Sequence, residues 1–138
     1  MPRHFPHLLP EDRELWEDFL NSSSNIYSDY HYDMKVGKGR DPGPEYPNHI
    51  REMALNISKR RIDAIGFIGK TPTIIEISVN AGLTQLGQLM AYPCLYKIEF
   101  PNALPSQRLL VARSIQTDIE PVLIDQKIPF LIVPMPDP

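Results

Sequence analysis

Two neighbouring apolar runs, each with one acidic residue near its centre, constrain the fold more than any other feature of the sequence. The runs cover Arg60–Gly69 and Thr73–Val79, and a short Gly/Pro-containing connection joins them. Their β-forming composition predicts two adjacent β-strands. Asp63 lies in the first run and Glu76 in the second. Because a carboxylate is costly to bury without a partner, we expect each acid to have a specific partner or to bind a metal ion.

Alternation along the second strand places its acid on a defined face. Residues two apart on a strand point to the same face, so Ile74, Glu76 and Ser78 share one face, opposite an apolar face formed by the odd-numbered residues. Asp63 and Glu76 lie on neighbouring strands and can converge on one divalent cation, since Mg²⁺ prefers oxygen ligands. The sequence therefore predicts a divalent-metal site between these two strands.

The remaining elements follow from apolar periodicity and from clusters of Gly, Pro and Asn. Helices are predicted over residues 10–21, 82–96 and 117–126, and strands over residues 30–36, 60–69, 73–79, 108–113 and 128–133. Residues 48–58 are ambiguous and are compatible with a short helix. The order αβββαβαβ predicts an α/β fold with a mixed central β-sheet flanked by helices.

The helix predicted over residues 82–96 carries two stripes of different character. Its apolar stripe comprises Leu83, Leu86, Met90 and Cys94, and its polar stripe comprises Gln85, Gln88 and Tyr92. We therefore expect Cys94 in the core, and the polar stripe facing either Glu76 or solvent. Pro93 is expected to kink or shorten the helix.

Proline is the outlying component of the composition, with 15 prolines in 138 residues, about twice the average usage. The prolines cluster at the two ends and within residues 42–47. Since proline fixes φ and removes a backbone donor, these clusters predict arms and loops around one core. We expect a proline-rich N-terminal arm over residues 1–9, a single domain over residues 10–133 and a proline-rich tail over residues 134–138.

The charge is acidic overall but unevenly distributed. A net charge of −3 argues against a dedicated, high-affinity nucleic-acid-binding protein. Residues 35–70 nevertheless hold eight basic side chains against four acidic ones, which predicts either contact with a phosphate backbone or a solvated surface. The candidate nucleic-acid contacts are Lys35, Lys38, Lys59, Arg60 and Arg61.

Neither a membrane segment nor a disulfide framework is expected. The sequence has no run of about 18 apolar residues, which a membrane-spanning helix requires. The single cysteine excludes an intrachain disulfide. These features predict a soluble, cytoplasmic domain.

Three short motifs follow one another on the predicted elements. They are Arg61-Ile-Asp63-Ala-Ile-Gly66, Glu76-Ile77-Ser78 and Gly87-Gln88-Leu-Met-Ala-Tyr92. Together with the element order, they resemble the PD-(D/E)xK nuclease superfamily, and in particular small phage-encoded members. The resemblance implies a restriction-endonuclease-like core. In a working member, a bound metal ion activates the water that attacks a phosphodiester bond.

The resemblance also implies a role for each matched residue. The implied ligands of Mg²⁺ or Mn²⁺ are Asp63, Glu76 and the main-chain carbonyl of Ile77, with Glu14 or Glu17 of the first helix completing the acidic cluster. Gln88 would orient the site or its substrate, and Tyr92 would support it.

One position departs from the family pattern. The lysine of the motif falls at Ser78, whose hydroxyl supplies neither positive charge nor a useful pKa. Some members recruit the lysine from another element, and Lys97 or Lys35 would be the candidates here. A metal site without its lysine is either a relic or a catalyst, and both interpretations stay open.

Three functions are therefore expected, in order of preference. The first is a catalytically degenerate nuclease-fold protein that acts as a structural or interaction module, as in a phage particle near the neck or head–tail junction. Its partners would be neighbouring copies in a homo-oligomer, or portal and tail proteins. The second is an active DNA endonuclease dependent on Mg²⁺ or Mn²⁺, and the third is a noncatalytic nucleic-acid-binding accessory.

Overall fold

Four helices and five strands make up residues 7–137, which are the residues described by this computed structural model. The helices are α1 (Pro10–Leu20), α2 (Asn48–Ser58), α3 (Leu83–Glu99) and α4 (Glu120–Asp125). The strands are β1 (Asp29–Val36), β2 (Arg60–Ile68), β3 (Thr71–Ala81), β4 (Gln107–Ile115) and β5 (Phe130–Ile132). None of the helices in this part of the chain is long and apolar enough to cross a membrane.

The five strands form one mixed sheet in the order β1-β2-β3-β4-β5. β1, β2 and β3 pair antiparallel, whereas β3, β4 and β5 pair parallel. α3 connects β3 to β4, and α4 connects β4 to β5. The predicted α/β fold with a mixed, helix-flanked sheet is confirmed, with α2 as an additional helix between β1 and β2.

Each face of the sheet carries its own hydrophobic core. The α1-side core comprises Leu15, Trp16, Phe19, Ala64, Ile75, Ile77, Val111 and Val133. The α3-side core includes Ile62, Ile65, Ile74, Leu86, Leu89, Tyr92, Tyr96, Leu110 and Ala112. Because β3 contributes odd-numbered residues to one core and Ile74 to the other, its predicted alternation is confirmed. The site acids therefore lie in a sheet that is covered on both faces.

The buried face of α3 differs from the predicted apolar stripe. The buried residues are Leu86, Leu89, Tyr92 and Tyr96, whereas Leu83, Met90 and Cys94 are exposed. Placing Cys94 in the core was therefore wrong, whereas Tyr92 faces Glu76, which is one of the two alternatives expected for the polar stripe. Both stripes have helical spacing, and packing against the sheet selects the one that carries two large aromatic side chains. Pro93 lies inside the helix without shortening it.

α2 has no buried residue, which explains why apolar periodicity left residues 48–58 ambiguous. Its connections to the preceding loop are polar. Arg51 donates two hydrogen bonds to the carboxylate of Asp41, at 3.0 and 2.5 Å, and Ser58 Oγ accepts the Arg40 amide at 2.5 Å. α2 is thus attached to the loop rather than to a core.

The two ends of the chain test the predicted arm and tail only in part. Residues 1–6 of the predicted arm and residue 138 of the tail lie outside the described residues. Within the tail, residues 134–137 are exposed. Arg113 donates hydrogen bonds to Asp18 Oδ2 (2.7 Å) and to the Pro134 carbonyl oxygen (2.9 Å), so it links β4 to α1 and to the start of the tail. The division into arm, domain and tail stays a prediction.

Removing Trp16 should destabilise the fold strongly. Its side chain is fully buried, its indole stacks on Phe19 with a centroid separation of 5.0 Å, and its Nε1–H donates to the Tyr32 hydroxyl at 3.1 Å. Trp16→Ala is expected to lower the free energy of unfolding by about 3–5 kcal/mol, measured by urea denaturation. Ile98→Ala at an exposed position should change it by less than about 0.5 kcal/mol. Equal effects of the two substitutions would contradict the assignment of the α1-side core.

Candidate functional site

The two predicted acids are hydrogen-bonded to each other's strands. Regular β2–β3 pairing reaches Ala64 opposite Ile75, and the next positions are Asp63 and Glu76. At these positions, side-chain oxygens accept the backbone amides in place of main-chain carbonyls. Glu76 Oε2 accepts the Asp63 amide at 3.1 Å, and Asp63 Oδ2 accepts the Ile77 amide at 3.0 Å. The acid pair, Asp63 and Glu76, thus satisfies backbone donors at the point where regular β2–β3 pairing ends.

An irregularity in β2 accounts for this arrangement. Ile62 belongs to the α3-side core and Ala64 to the α1-side core, although residues two apart on a regular strand share a face. The strand therefore turns over at Asp63. The facing residue of β1, Asp33, has a φ of 56°, and the β1–β2 pairing skips this position. Asp is among the few residues that adopt such a φ readily, so an aspartate fits this break.

The acid pair lies in a poorly solvated, negatively charged environment. Glu76 is only 1% exposed. Burial raises its pKa well above the ordinary carboxyl range, and the negative charge of Asp63 raises it further. Burial also raises the pKa of Asp63, with a further contribution from the charge of Asp12. Two carboxylates this close cannot both ionise easily, so burial and proximity together favour the binding of a proton by the pair.

α3 brings the predicted Gln88 and Tyr92 to the acid pair. Both line a cavity of about 300 Å³, which also includes Arg60. Tyr92 is buried, and its pKa is raised first by burial and then by the charge of Glu76, while a hydrogen bond with Gln88 opposes the rise. The structure therefore assembles the predicted residues of β2, β3 and α3 in one place. Their roles in a reaction remain predictions.

The first helix contributes a different acid from the two predicted. Asp12 Oδ1 accepts the amide of Val79 at 2.9 Å, and its charge acts on Asp63. Glu14 is exposed and Glu17 is half-buried. Asp12 precedes Trp16 by four residues, so it lies one turn before the buried stripe of α1. That spacing was the signal in the sequence that would have identified it.

The position of the missing lysine has no basic side chain of its own. Ser78 is half-buried, two residues beyond Glu76 on the same strand. Of the two lysines considered as replacements, Lys97 donates to the Pro101 carbonyl oxygen at 3.1 Å, near the C-terminal end of α3. Lys35 lines a separate cavity with Lys59 and Arg61. The cation that shares a cavity with Gln88 and Tyr92 is Arg60.

In the described part of the chain, the acid pair does not belong to a larger cluster of metal-binding side chains. Within residues 7–137, no group of three or more His, Cys, Asp or Glu side chains is placed to hold a metal ion. Both members of the acid pair accept backbone amides, and Glu76 is shielded from solvent. Ile77 contributes its amide to the pair, whereas the predicted metal ligand was its carbonyl oxygen.

Two solved structures share this fold. The EndoMS-dsDNA2 complex matches 100% of this chain and 51% of its own, with a TM-score of 0.53 and 12% identity. A repair endonuclease from Pyrococcus abyssi matches 98% of this chain and 50% of its own, with a TM-score of 0.51 and 14% identity. This chain thus spans about half the length of each. No family model and no curated protein matches the sequence. The likeness shows a nuclease-like fold, as the motifs predicted.

Raising the pH should destabilise the protein through the acid pair. Between the ordinary carboxyl pKa of about 4 and the raised pKa of Glu76, the folded chain keeps a proton that the unfolded chain has released. The free energy of unfolding therefore falls as the pH rises through this range, by up to about 1.4 kcal/mol per pH unit for one proton. Urea denaturation at a series of pH values measures this slope.

The matched variants are Glu76→Gln, which removes the titrating group, and Glu14→Gln, which removes an exposed acid. Glu76→Gln should flatten the pH slope because the amide keeps an acceptor for the Asp63 amide but binds no proton. Glu14→Gln should retain the slope of the unmodified protein. A slope that survives Glu76→Gln unchanged would show that the proton is held elsewhere.

Proposed function

We propose that this protein is a catalytically silent member of the nuclease fold that binds DNA. The observation that carries the proposal is the state of Glu76, whose carboxyl group is 1% exposed and already accepts the Asp63 amide. A metal ligand must be ionised, whereas burial and the charge of Asp63 both favour the protonated form of Glu76. The acid pair therefore serves the sheet rather than a reaction.

Ser78 supports the same conclusion from a second direction. Phosphodiester cleavage develops negative charge that an adjacent cation stabilises. Loss of one such electrostatic group costs on the order of 10²–10³ in rate. The serine hydroxyl offers no charge, so even a metal-loaded site would lack this contribution.

DNA binding is supported by the fold and by the basic residues beside the site. One structure of this fold is the EndoMS-dsDNA2 complex. Arg60 lies in the cavity next to the acid pair, and Lys35, Lys59 and Arg61 line a neighbouring one. Contacts from lysine and arginine to phosphates supply most of the affinity in sequence-independent binding. The expected interaction is therefore moderate in affinity and sensitive to salt.

A second function, Mg²⁺- or Mn²⁺-dependent DNA cleavage, is favoured by the position of Arg60. Its guanidinium lines the cavity of Gln88 and Tyr92, where it would replace the charge missing at Ser78. In that case the acid pair must first release its proton and its backbone donors. Cleavage by the unmodified protein would decide in favour of this function.

We also propose a location, on the resemblance to small phage-encoded members alone. The protein would act in a phage particle near the neck or head–tail junction, in contact with neighbouring copies or with portal and tail proteins. The exposed, proline-rich residues 134–137 suit such contacts. A ring-shaped oligomer in electron micrographs of the purified protein would support this location, and a monomer in light scattering would count against it.

Plasmid cleavage tests the silent site. The unmodified protein is expected to leave supercoiled plasmid intact in Mg²⁺ or Mn²⁺ while retarding it in a gel. Ser78→Lys should introduce metal-dependent nicking, because a lysine on the strand face of Glu76 both stabilises charge on the phosphate and favours ionisation of the acids. Gel densitometry measures the nicked fraction over time.

Variants of Glu76 separate the outcomes. The double variant Ser78→Lys/Glu76→Ala should not nick the plasmid. The single variant Glu76→Ala, purified in parallel, measures the activity of any contaminating nuclease. Cleavage by the unmodified protein that Glu76→Ala removes would overturn the silent site and establish the endonuclease. Failure of the unmodified protein to retard DNA would overturn the binding function.

A further inference from the structure

A second cavity adjoins the acid site on the side of the β1–α2 loop. Its volume is about 270 Å³, and it is lined by loop residues 37–40 together with Ser58 and Arg60. The loop supplies two glycines and two cations, Lys38 and Arg40, and Arg60 comes from the start of β2. We refer to this cavity as the loop pocket. Its lining has the composition of an anion site, with basic side chains and accessible glycine backbone.

The backbone of the loop pocket is fixed by close contacts. Gly37 and Gly39 have φ values of 85° and 74°, which favour glycine. A Cβ atom at Gly39 would lie 2.1 Å from the carbonyl oxygen of Leu55, so α2 and the loop approach as closely as a glycine allows. The Arg40 amide donates to Ser58 Oγ, which in turn donates to the Ala54 carbonyl oxygen at 2.7 Å. The pocket is therefore shaped before any ligand binds.

The charge of the loop pocket is not neutralised by its surroundings. The nearest acid of the loop, Asp41, is held by Arg51 on α2 in a bidentate pair and also accepts the Gly43 amide at 3.0 Å. Within residues 7–137, Lys38, Arg40 and Arg60 form no ion pair. Three cations from two segments thus line one cavity without a carboxylate partner, and an anion would provide that partner.

The loop pocket and the cavity lined by Gln88 and Tyr92 are adjacent parts of one cleft. Arg60 and Leu95 line both. The charge of Arg60 also acts on Tyr92 of α3, and the charge of Glu76 acts on the same tyrosine. A nucleic acid strand with one phosphate in the loop pocket would therefore pass alongside Gln88 and Tyr92. Arg60 is the group that both cavities share.

We propose that the loop pocket binds a single phosphate group of a nucleic acid strand and thereby fixes where the strand meets the acid site. The pocket holds three positive side chains, and their charge suits an anionic phosphate rather than a neutral base. Arginine and lysine are the side chains that proteins use most for phosphate. The inference rests on the proposed DNA-binding function and names its anchoring contact. The phosphate is either a terminal monoester or an internal diester, and both have the chemistry that the pocket recognises.

Charge-removal variants of the full chain test the pocket. Fluorescence anisotropy with a fluorescein-labelled oligonucleotide compares Lys38→Gln/Arg40→Gln with a control, Lys70→Gln/Lys127→Gln. Both pairs remove two exposed charges, and Lys70 follows the end of β2 opposite to Arg60. The pocket variant should bind about tenfold more weakly or worse, and its slope of log K against log salt should become shallower by about 1. The control should change affinity by less than about twofold.

Two labelled oligonucleotides distinguish the sources of the phosphate. If the ligand is a terminal monoester, a 5′-phosphorylated strand binds more tightly than the same strand with a 5′-hydroxyl, and the pocket variant loses the difference. If the ligand is an internal diester, the two strands bind alike and the pocket variant weakens both. Either result supports the pocket.

A readout without DNA separates failure of the pocket from failure of the proposed function. Pyrophosphate should raise the thermal midpoint of the unmodified protein and of the control, and not that of the pocket variant. The pocket is overturned if the pocket variant still binds DNA tightly with an unchanged salt slope and pyrophosphate has no effect. In that case the DNA-binding function itself stands. The DNA-binding function is overturned instead if pyrophosphate stabilises the unmodified protein but not the pocket variant, and the unmodified protein does not bind DNA.

Discussion

The organisation of this protein depends on how it buries two carboxyl groups inside a β-sheet. Glu76 is buried and Asp63 is half-buried, and each accepts a backbone amide from the other's strand. An unsatisfied buried polar group costs about 1–3 kcal/mol, so the exchange benefits the strands as much as the acids. It also allows β2 to change face between Ile62 and Ala64 without leaving donors unpaired. In the folded chain, the two acids thus connect β2 and β3 where regular pairing between these strands ends.

The arrangement of the acid pair determines which charged groups the surrounding surface exposes. α3 closes over Glu76 with Tyr92, so solvent and ions reach the acids poorly. The exposed groups around the same cleft are cations, since Arg60 is shared with the loop pocket and Arg61 with the cavity of Lys35. Negative charge is buried and partly neutralised by a proton, while positive charge faces outward. Such a face attracts phosphate even though the chain as a whole is acidic.

The sequence predicted the sheet, the acid pair and the α3 residues because each depends on a short-range pattern. Alternation identifies β3 and the face of Glu76, and a motif of the family identifies Gln88 and Tyr92. Prediction failed where packing decides between equivalent patterns, as for the rotation of α3 that exposes Cys94. It left α2 undecided, since that helix buries none of its residues and is held to the preceding loop by Arg51 and Ser58.

The serine at residue 78 and the burial of Glu76 are linked, because both affect the ionisation of the Glu76 carboxyl group. A lysine at residue 78 would favour an ionised carboxylate at residue 76, and an ionised carboxylate would draw water or a cation into the cleft. With serine there, nothing on that strand opposes protonation, and the neutral acid can stay under Tyr92 while accepting the Asp63 amide. Binding a divalent cation would require the acid pair to be ionised. Arg60 lines both cavities of the cleft. It does not change this requirement, but it can still bind a phosphate there. In the proposed function, the same arrangement keeps the acids catalytically silent and leaves the cleft able to bind nucleic acid.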